Sequence, residues 1–234
     1  MQESKNISSL EQTLLHFFDA IAGSSTEPSK DLFLNGILSL FERRQAEGVL
    51  TFELDNTSTA NAIQKLVNNV AKHPMLRSPL IYLLDELICN IQQHAQTDLG
   101  YALVEYDKLT DSIEIIIADY GISIYGSYAA NQKYADRLGN SDADALNMAK
   151  NGFSVKNLPE TENRGYGISS NMKMVADGLR GEFAVLSGSA LLIHMTGNSK
   201  ILALPNEIDY KGTIIMVRIP ANVPESFNMY DYIS

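Results

Sequence analysis

The order of segments along the chain predicts an α+β (α/β) domain, a two-layer sandwich in which helices cover one face of a mixed, largely antiparallel sheet. Three observations carry this expectation. The early part of the chain shows helical periodicity. Two apolar, β-branched segments flank the turn Asp107-Lys108-Leu109-Thr110-Asp111 and read as a hairpin. After a long irregular loop and one more helix, the chain closes in short strands, with turn signals at Ser187-Gly188, Gly197-Asn198 and Asn206. The composition suits such a domain: 234 residues, 45% apolar and 20% charged, are enough for a core without cross-links.

The elements follow in order. Leu10, Leu14, Phe17 and Ile21 form one apolar helical stripe, and Phe33, Ile37, Leu40 and Phe41 a second. Residues 1–47 therefore read as a helical hairpin, an accessory or dimerisation element that needs a partner for its apolar face. Residues 49–54 read as a strand and 57–73 as a helix stopped by His73-Pro74. Ser78 is the expected cap of a long helix reaching about residue 96, with Pro79 in its first turn. Strands are expected at 101–107 and 113–119. Residues 120–163 are the least regular part, with one helical patch at 143–150, and 165–178 begin with glycines and become helical. Strands at 182–186, 190–195, 201–204 and 213–219 complete the domain at about residue 221, leaving a tail over 222–234.

The formal charge of −10 argues against a nucleic-acid backbone or an anionic membrane face as partner. It leaves room for an anion held by backbone amides. The single cysteine, Cys89, rules out an internal disulfide and a four-cysteine zinc site, and its apolar helical setting reads as packing. His73, Cys89 and His94 are not spaced as a zinc set. With no signal core and no long apolar run, the expectation is a cytoplasmic protein.

Four constellations carry chemistry. Glu86, Asn90 and His94 are spaced four and four, so they form one polar file on a helix whose other side is Leu83, Leu84, Leu87, Ile88 and Ile91. A carboxylate there can serve as a general base, and a carboxamide oxygen suits magnesium. Read alone, the file is equally a solvated helix face. Asp119-Tyr120-Gly121 ends an apolar strand and reads either as a turn or as a carboxylate aimed at an exocyclic amine. Arg164-Gly165-Tyr166-Gly167 leads into a helix and can bring backbone amides to a phosphate, but it matches neither a dinucleotide fingerprint nor a P-loop. Lys211-Gly212-Thr213 opens the last strand, where a threonine is also simply a good strand residue.

Taken in order, these motifs resemble the GHKL superfamily of ATPases, which unites gyrase, the heat-shock chaperone, histidine kinases and MutL. The resemblance spans about residues 49–220. The helix motif Asp85-Glu86-Leu87-Ile88-Cys89-Asn90-Ile91-Gln92-Gln93-His94-Ala95 is most similar to the branch of bacterial anti-sigma-factor serine kinases. The resemblance implies a Bergerat-type ATP-binding fold over 48–221, with a lid at about 124–163, and ATP and Mg2+ as cofactors. It implies Asn90 as the metal ligand, Glu86 as the catalytic base and His94 near the phosphates. Asp119 would accept from the adenine amine, Gly121 would let the purine approach, and Thr213 would support that pocket. Arg164, Gly165 and Gly167 would form the phosphate-side glycine box, with Lys156 a lid residue that reads more simply as a solvated side chain. One position departs from the pattern. The first glycine box usually runs Asp-x-Gly-x-Gly, and here its last position is Ser123, whose Cβ disfavours positive φ and leaves the lid hinge open.

The resemblance implies a regulatory serine/threonine protein kinase or ATP-dependent switch acting on a protein partner, and the acidic charge adds the expectation of no nucleic acid and no membrane as partner. The 67 residues after Gly167 leave room for a helix and four strands, so no transducer domain like that of the gyrase and MutL relatives is expected within them. The alternatives are a nucleotide-gated binding module with little turnover, and a stand-alone histidine-kinase catalytic module dimerising through the N-terminal hairpin. For the last, the sequence around His16 lacks the usual His-Glu-x-x-Thr-Pro pattern. Among the tyrosines near the lid, Tyr120, Tyr125, Tyr128 and Tyr134, loop packing is the expected role, with base stacking open to one of them.

Overall fold

The computed structural model describes residues 49–53, 59–97, 99–134, 136–153, 167–204 and 209–233. The hairpin expected over residues 1–47, with His16, lies outside these, as do Lys156, Arg164 and Gly165. In chain order the described elements are strand β1 (Val49–Glu53), helix α1 (Thr59–Val70), helix α2 (Arg77–His94) and strands β2 (Leu99–Asp107) and β3 (Ser112–Asp119). Helices α3 (Ile124–Ala129), α4 (Asp142–Lys150) and α5 (Ile168–Lys173) follow, the last running into a π-helical turn at Met174–Gly178. Strands β4 (Glu182–Gly188), β5 (Ala190–Met195), β6 (Asn198–Ala203) and β7 (Tyr210–Pro220) complete the sheet.

The strands form one seven-stranded sheet in the order β1-β2-β3-β7-β4-β5-β6. The class is α+β. Every described pairing is antiparallel, which corrects the expected mixed sheet. The physical reason lies in where the last strand goes. β3 and β4 run the same way, because each is antiparallel to β7, but β7 lies between them. The parallel relation created by the helical crossover is therefore never a neighbour pairing.

The core lies between α1, α2, α5 and one face of the sheet. Ile113, Ile115 and Ile117 of β3, Ile215, Val217 and Ile219 of β7, and Phe183 and Val185 of β4 point into it, alternating along each strand as the pleat requires. Leu83, Leu84, Leu87, Ile88 and Ile91 of α2 meet them. Every residue of β3 is buried, including those of the opposite parity, which is why its sequence reads as a near-continuous apolar run.

Helix α2 starts differently from expectation. Ser78 sits inside it rather than at its cap. The 3-10 turn Pro74–Leu76 runs directly into the helix, and its own cap is His73, whose Nδ1 accepts the Met75 N–H at 3.3 Å. At the other end Gln96 adopts φ 52°, which stops the helix next to the cavity described below.

The loop expected to be least regular carries α3, a 3-10 turn at Gln132–Tyr134 and α4. These share a small apolar cluster of Tyr128, Tyr134, Ala145, Met148 and Ala149. Ser141 caps α4 by accepting the Asp144 N–H at 3.1 Å and donating to the Asp144 carboxylate at 2.7 Å. Asp142 and Asp144 in its first turn and Lys150 in its last suit the helix dipole. Beyond β7, Phe227 and Tyr232 stack at 6.2 Å between centroids and cover Gly178, where a Cβ would lie 2.8 Å from the Tyr232 ring. No described helix is long and apolar enough to cross a membrane.

Candidate functional site

One cavity collects most of the residues singled out above. Asn90 and His94 reach it from α2, Asp119 from the end of β3, Thr213 from β7 and Gly167 from the start of α5. Ile122, Ser123 and Ile124 line it where α3 begins, and Tyr128 of α3, Ala149 of α4 and Phe153 just beyond α4 line it as well. Leu87, Ile91 and Ile215 give it apolar walls. Glu86 lies one helical turn before Asn90 on the same file, half-buried and outside the described lining.

Asp119 is 1% exposed. Its Oδ1 accepts the Gly121 N–H at 2.9 Å, and its backbone carbonyl accepts the Tyr210 hydroxyl at 2.8 Å. Burial pushes its carboxyl up to about 7, against the opposing pull of backbone hydrogen bonds from Gly121 and Thr213. A carboxyl in this setting is an acceptor with a large desolvation cost, which a ligand donor relieves. Tyr210, itself buried, has its hydroxyl pushed well up by burial and by Asp119, and so stays a donor. Tyr120 packs edge-on against it at 6.4 Å.

The glycines have distinct reasons. A Cβ on Gly121 would sit 1.9 Å from the Ala95 carbonyl oxygen at the end of α2, and that same oxygen accepts the Ile122 N–H at 2.7 Å. Gly121 thus lets the strand end close onto the helix end. Gly212, at φ 125°, abuts Asp119, with a Cβ position 2.3 Å from its carbonyl oxygen. Gly167, at φ 150°, has its Cβ position 3.8 Å from Asn90 Nδ2, so the turn into α5 faces Asn90 without a side chain between them.

Ser123 answers the question its place in the motif raised. It caps α3 at φ −65° and ψ 169°, and its hydroxyl accepts the Gly126 N–H at 3.2 Å. No left-handed backbone is needed at this position, so a serine is well suited to it. Of the tyrosines, Tyr128 lines the cavity and donates to the Phe153 carbonyl, and Tyr134 meets the rings of both, at 5.3 and 6.1 Å.

Two contributors escaped the sequence reading. In the sequence Ser187 reads as a turn residue, and Tyr210 lies before the expected last strand, 213–219, but inside the observed one, Tyr210–Pro220. Ser187 is 1% exposed, and its Oγ accepts the Ile124 N–H at 2.8 Å, 63 positions away. Only the pairing of distant strands reveals either one.

The donor set can be weighed against the implied cofactors. Asn90 offers a neutral hard oxygen, which fits magnesium arriving with phosphate and water ligands rather than a cage built from the protein. Among the described residues no group of three or more His, Cys, Asp or Glu is arranged to hold a metal. The buried acceptor Asp119 and the apolar walls of Leu87, Ile91 and Ile215 could hold a flat base with an amine. No family model matches the chain, and no curated protein matches it.

Proposed function

We propose that the chain is a Mg-ATP-binding protein of the histidine-kinase-like ATPase type with a Bergerat-type fold, and that it acts as a regulatory serine/threonine kinase or ATP-dependent switch on a protein partner. What supports this reading is the convergence of Asn90, His94, Asp119, Gly167 and Thr213, chosen from separate motifs, on one cavity. Chance placement on a surface would scatter them. In this reading Asp119 accepts from the base amine and Thr213 supports it from the neighbouring strand. Asn90 would hold the magnesium and His94 would face the phosphates. Glu86 would accept the proton of an attacking hydroxyl. Bound Mg-ATP would supply the electrophilic phosphoryl group.

A nucleotide-gated binding module is the second reading. It draws on the separate apolar cluster of the lid, which gives α3 and α4 internal cohesion to move as a unit.

Calorimetry of ATP with magnesium, wild type against Asp119→Asn, tests the site. The amide presents a donor where an acceptor is needed, a buried mismatch of about 1–3 kcal/mol, so the variant binds about tenfold or more weakly. A wild type that binds neither ATP nor adenosine ends the reading.

A further inference from the structure

At the base end of the cavity, three polar side chains stand in one row across three strands. Asp119 of β3 lies opposite Thr213 of β7, and Thr213 lies opposite Ser187 of β4. The row shares a face with Ile117, Ile215 and Val185, so it belongs to the cavity side of the sheet.

Ser187 has one hydroxyl hydrogen, and the Gly212 carbonyl receives it at 3.0 Å. One lone pair of Ser187 accepts the Ile124 N–H at 2.8 Å. What remains toward Thr213 Oγ1, 3.3 Å away, is a lone pair. Geometry alone allows either hydroxyl to donate in that contact; committing the Ser187 hydrogen to the shorter Gly212 contact makes Thr213 the donor and leaves its lone pairs for the cavity that Thr213 lines. The same Ser187 fastens the first residue of α3. The turn after it fastens α4 too: Ser189 donates from its N–H and its hydroxyl to Asp142 Oδ2, at 3.0 and 2.9 Å. Gly188, at φ 59°, makes room, since a Cβ there would lie 2.2 Å from the Asp142 carboxyl carbon.

We propose that Ser187 is a positioning residue that holds Thr213 as a hydrogen-bond acceptor, so that the pocket selects a base edge bearing an amine, and that it seats lid helix α3 on the same hydroxyl. The proposal rests on the nucleotide reading above. It deepens that reading by naming the residue that sets the polarity of base recognition and joins it to the lid.

The test uses the full chain with adenosine and inosine, two nucleosides whose bases present an amine and a carbonyl at the same place. Wild type is expected to prefer adenosine. Ser187→Ala frees the Thr213 hydroxyl to turn and donate, so the adenosine-to-inosine affinity ratio should fall about tenfold. Amide exchange over residues 125–129 should quicken as well. Asp142→Ala separates the two roles. It lies outside the cavity lining and removes only the acceptor of the two Ser189 contacts that fasten α4 to the sheet. It should quicken exchange over residues 143–150 and leave the ratio within twofold, so that loosening this layer is distinguished from losing the Ser187 hydroxyl. If Ser187→Ala does not fold, Ser187→Cys replaces the hydroxyl with a weakly bonding thiol of similar shape, and the ratio should fall with it. A ratio unchanged in the folded Ser187 variant overturns the proposal while the nucleotide reading stands. A wild type that binds neither nucleoside nor ATP overturns both.

Discussion

The two ends of the cavity are held by different means. At the sheet end, Asp119 and Thr213 are 1% and 9% exposed, sit opposite each other in the β3–β7 ladder and are braced by Gly121, Tyr210 and Ser187. At the helix end, Asn90 and His94 project from α2 only half-buried, with the packing of that helix borne by its other side. The sheet end is thus preorganised by long-range backbone contacts, and the helix end is a polar file whose side chains can adjust to what arrives. On the proposed nucleotide reading, base recognition would fall where rearrangement is expensive, and chemistry on a changing phosphate where it is not.

The largest test of this contrast is steric. Gly121→Ala puts a Cβ 1.9 Å from a backbone oxygen, with no flexible neighbour to yield. Chemical denaturation should show a loss of more than about 3 kcal/mol, or no folded protein. Gly197→Ala is the matching control: its φ is 70° but nothing lies within 4 Å, so it should cost only about 1 kcal/mol.

The next test is pH. The Asp119 carboxyl is raised from 3.8 to about 7, so the folded protein binds this proton more tightly than the unfolded chain does. The associated stability is fully present below the unfolded value and is lost as pH rises through about 7. The contribution is at most about 4 kcal/mol, from about 1.4 kcal/mol per pH unit. Asp119→Asn should flatten that part of the stability profile. Adenosine, which has no phosphate to titrate, should bind more tightly as pH rises from 5 to 8 and displace a proton. Calorimetry in buffers of different ionisation enthalpy reads that proton directly.

The smallest effect divides the two ends by ligand. Asn90→Ala should weaken magnesium-dependent ATP binding about tenfold and leave adenosine within twofold. Equal losses for both ligands would erase the distinction between recognition at the sheet and phosphate handling at the helix.

Much of this was legible in one dimension. The spacing of Asn90 and His94 is a local property of helical geometry, and it was enough to place both on one face. The strand ending at Asp119 was marked by its own isoleucines, and Gly167 by its place ahead of a helix. Ser187 and Tyr210 were not legible, because nothing near them in sequence distinguishes a turn serine or a strand tyrosine from a cavity brace. Their roles arise from partners 63 and 91 positions away. The space reserved by Gly121 for the Ala95 carbonyl was hidden for the same reason.

The sequence by itself determined the class of the fold, most of the described strands and longer helices and the side chains able to do chemistry, since periodicity and residue type act over a few positions. The tertiary structure decided that β7 enters between β3 and β4, that the sheet is antiparallel throughout its described pairings, and that Asp119, Thr213 and Ser187 fall in one row. Strand order and register are set by which distant apolar faces bury together, and a one-residue slip would turn every side chain of that row away from the cavity.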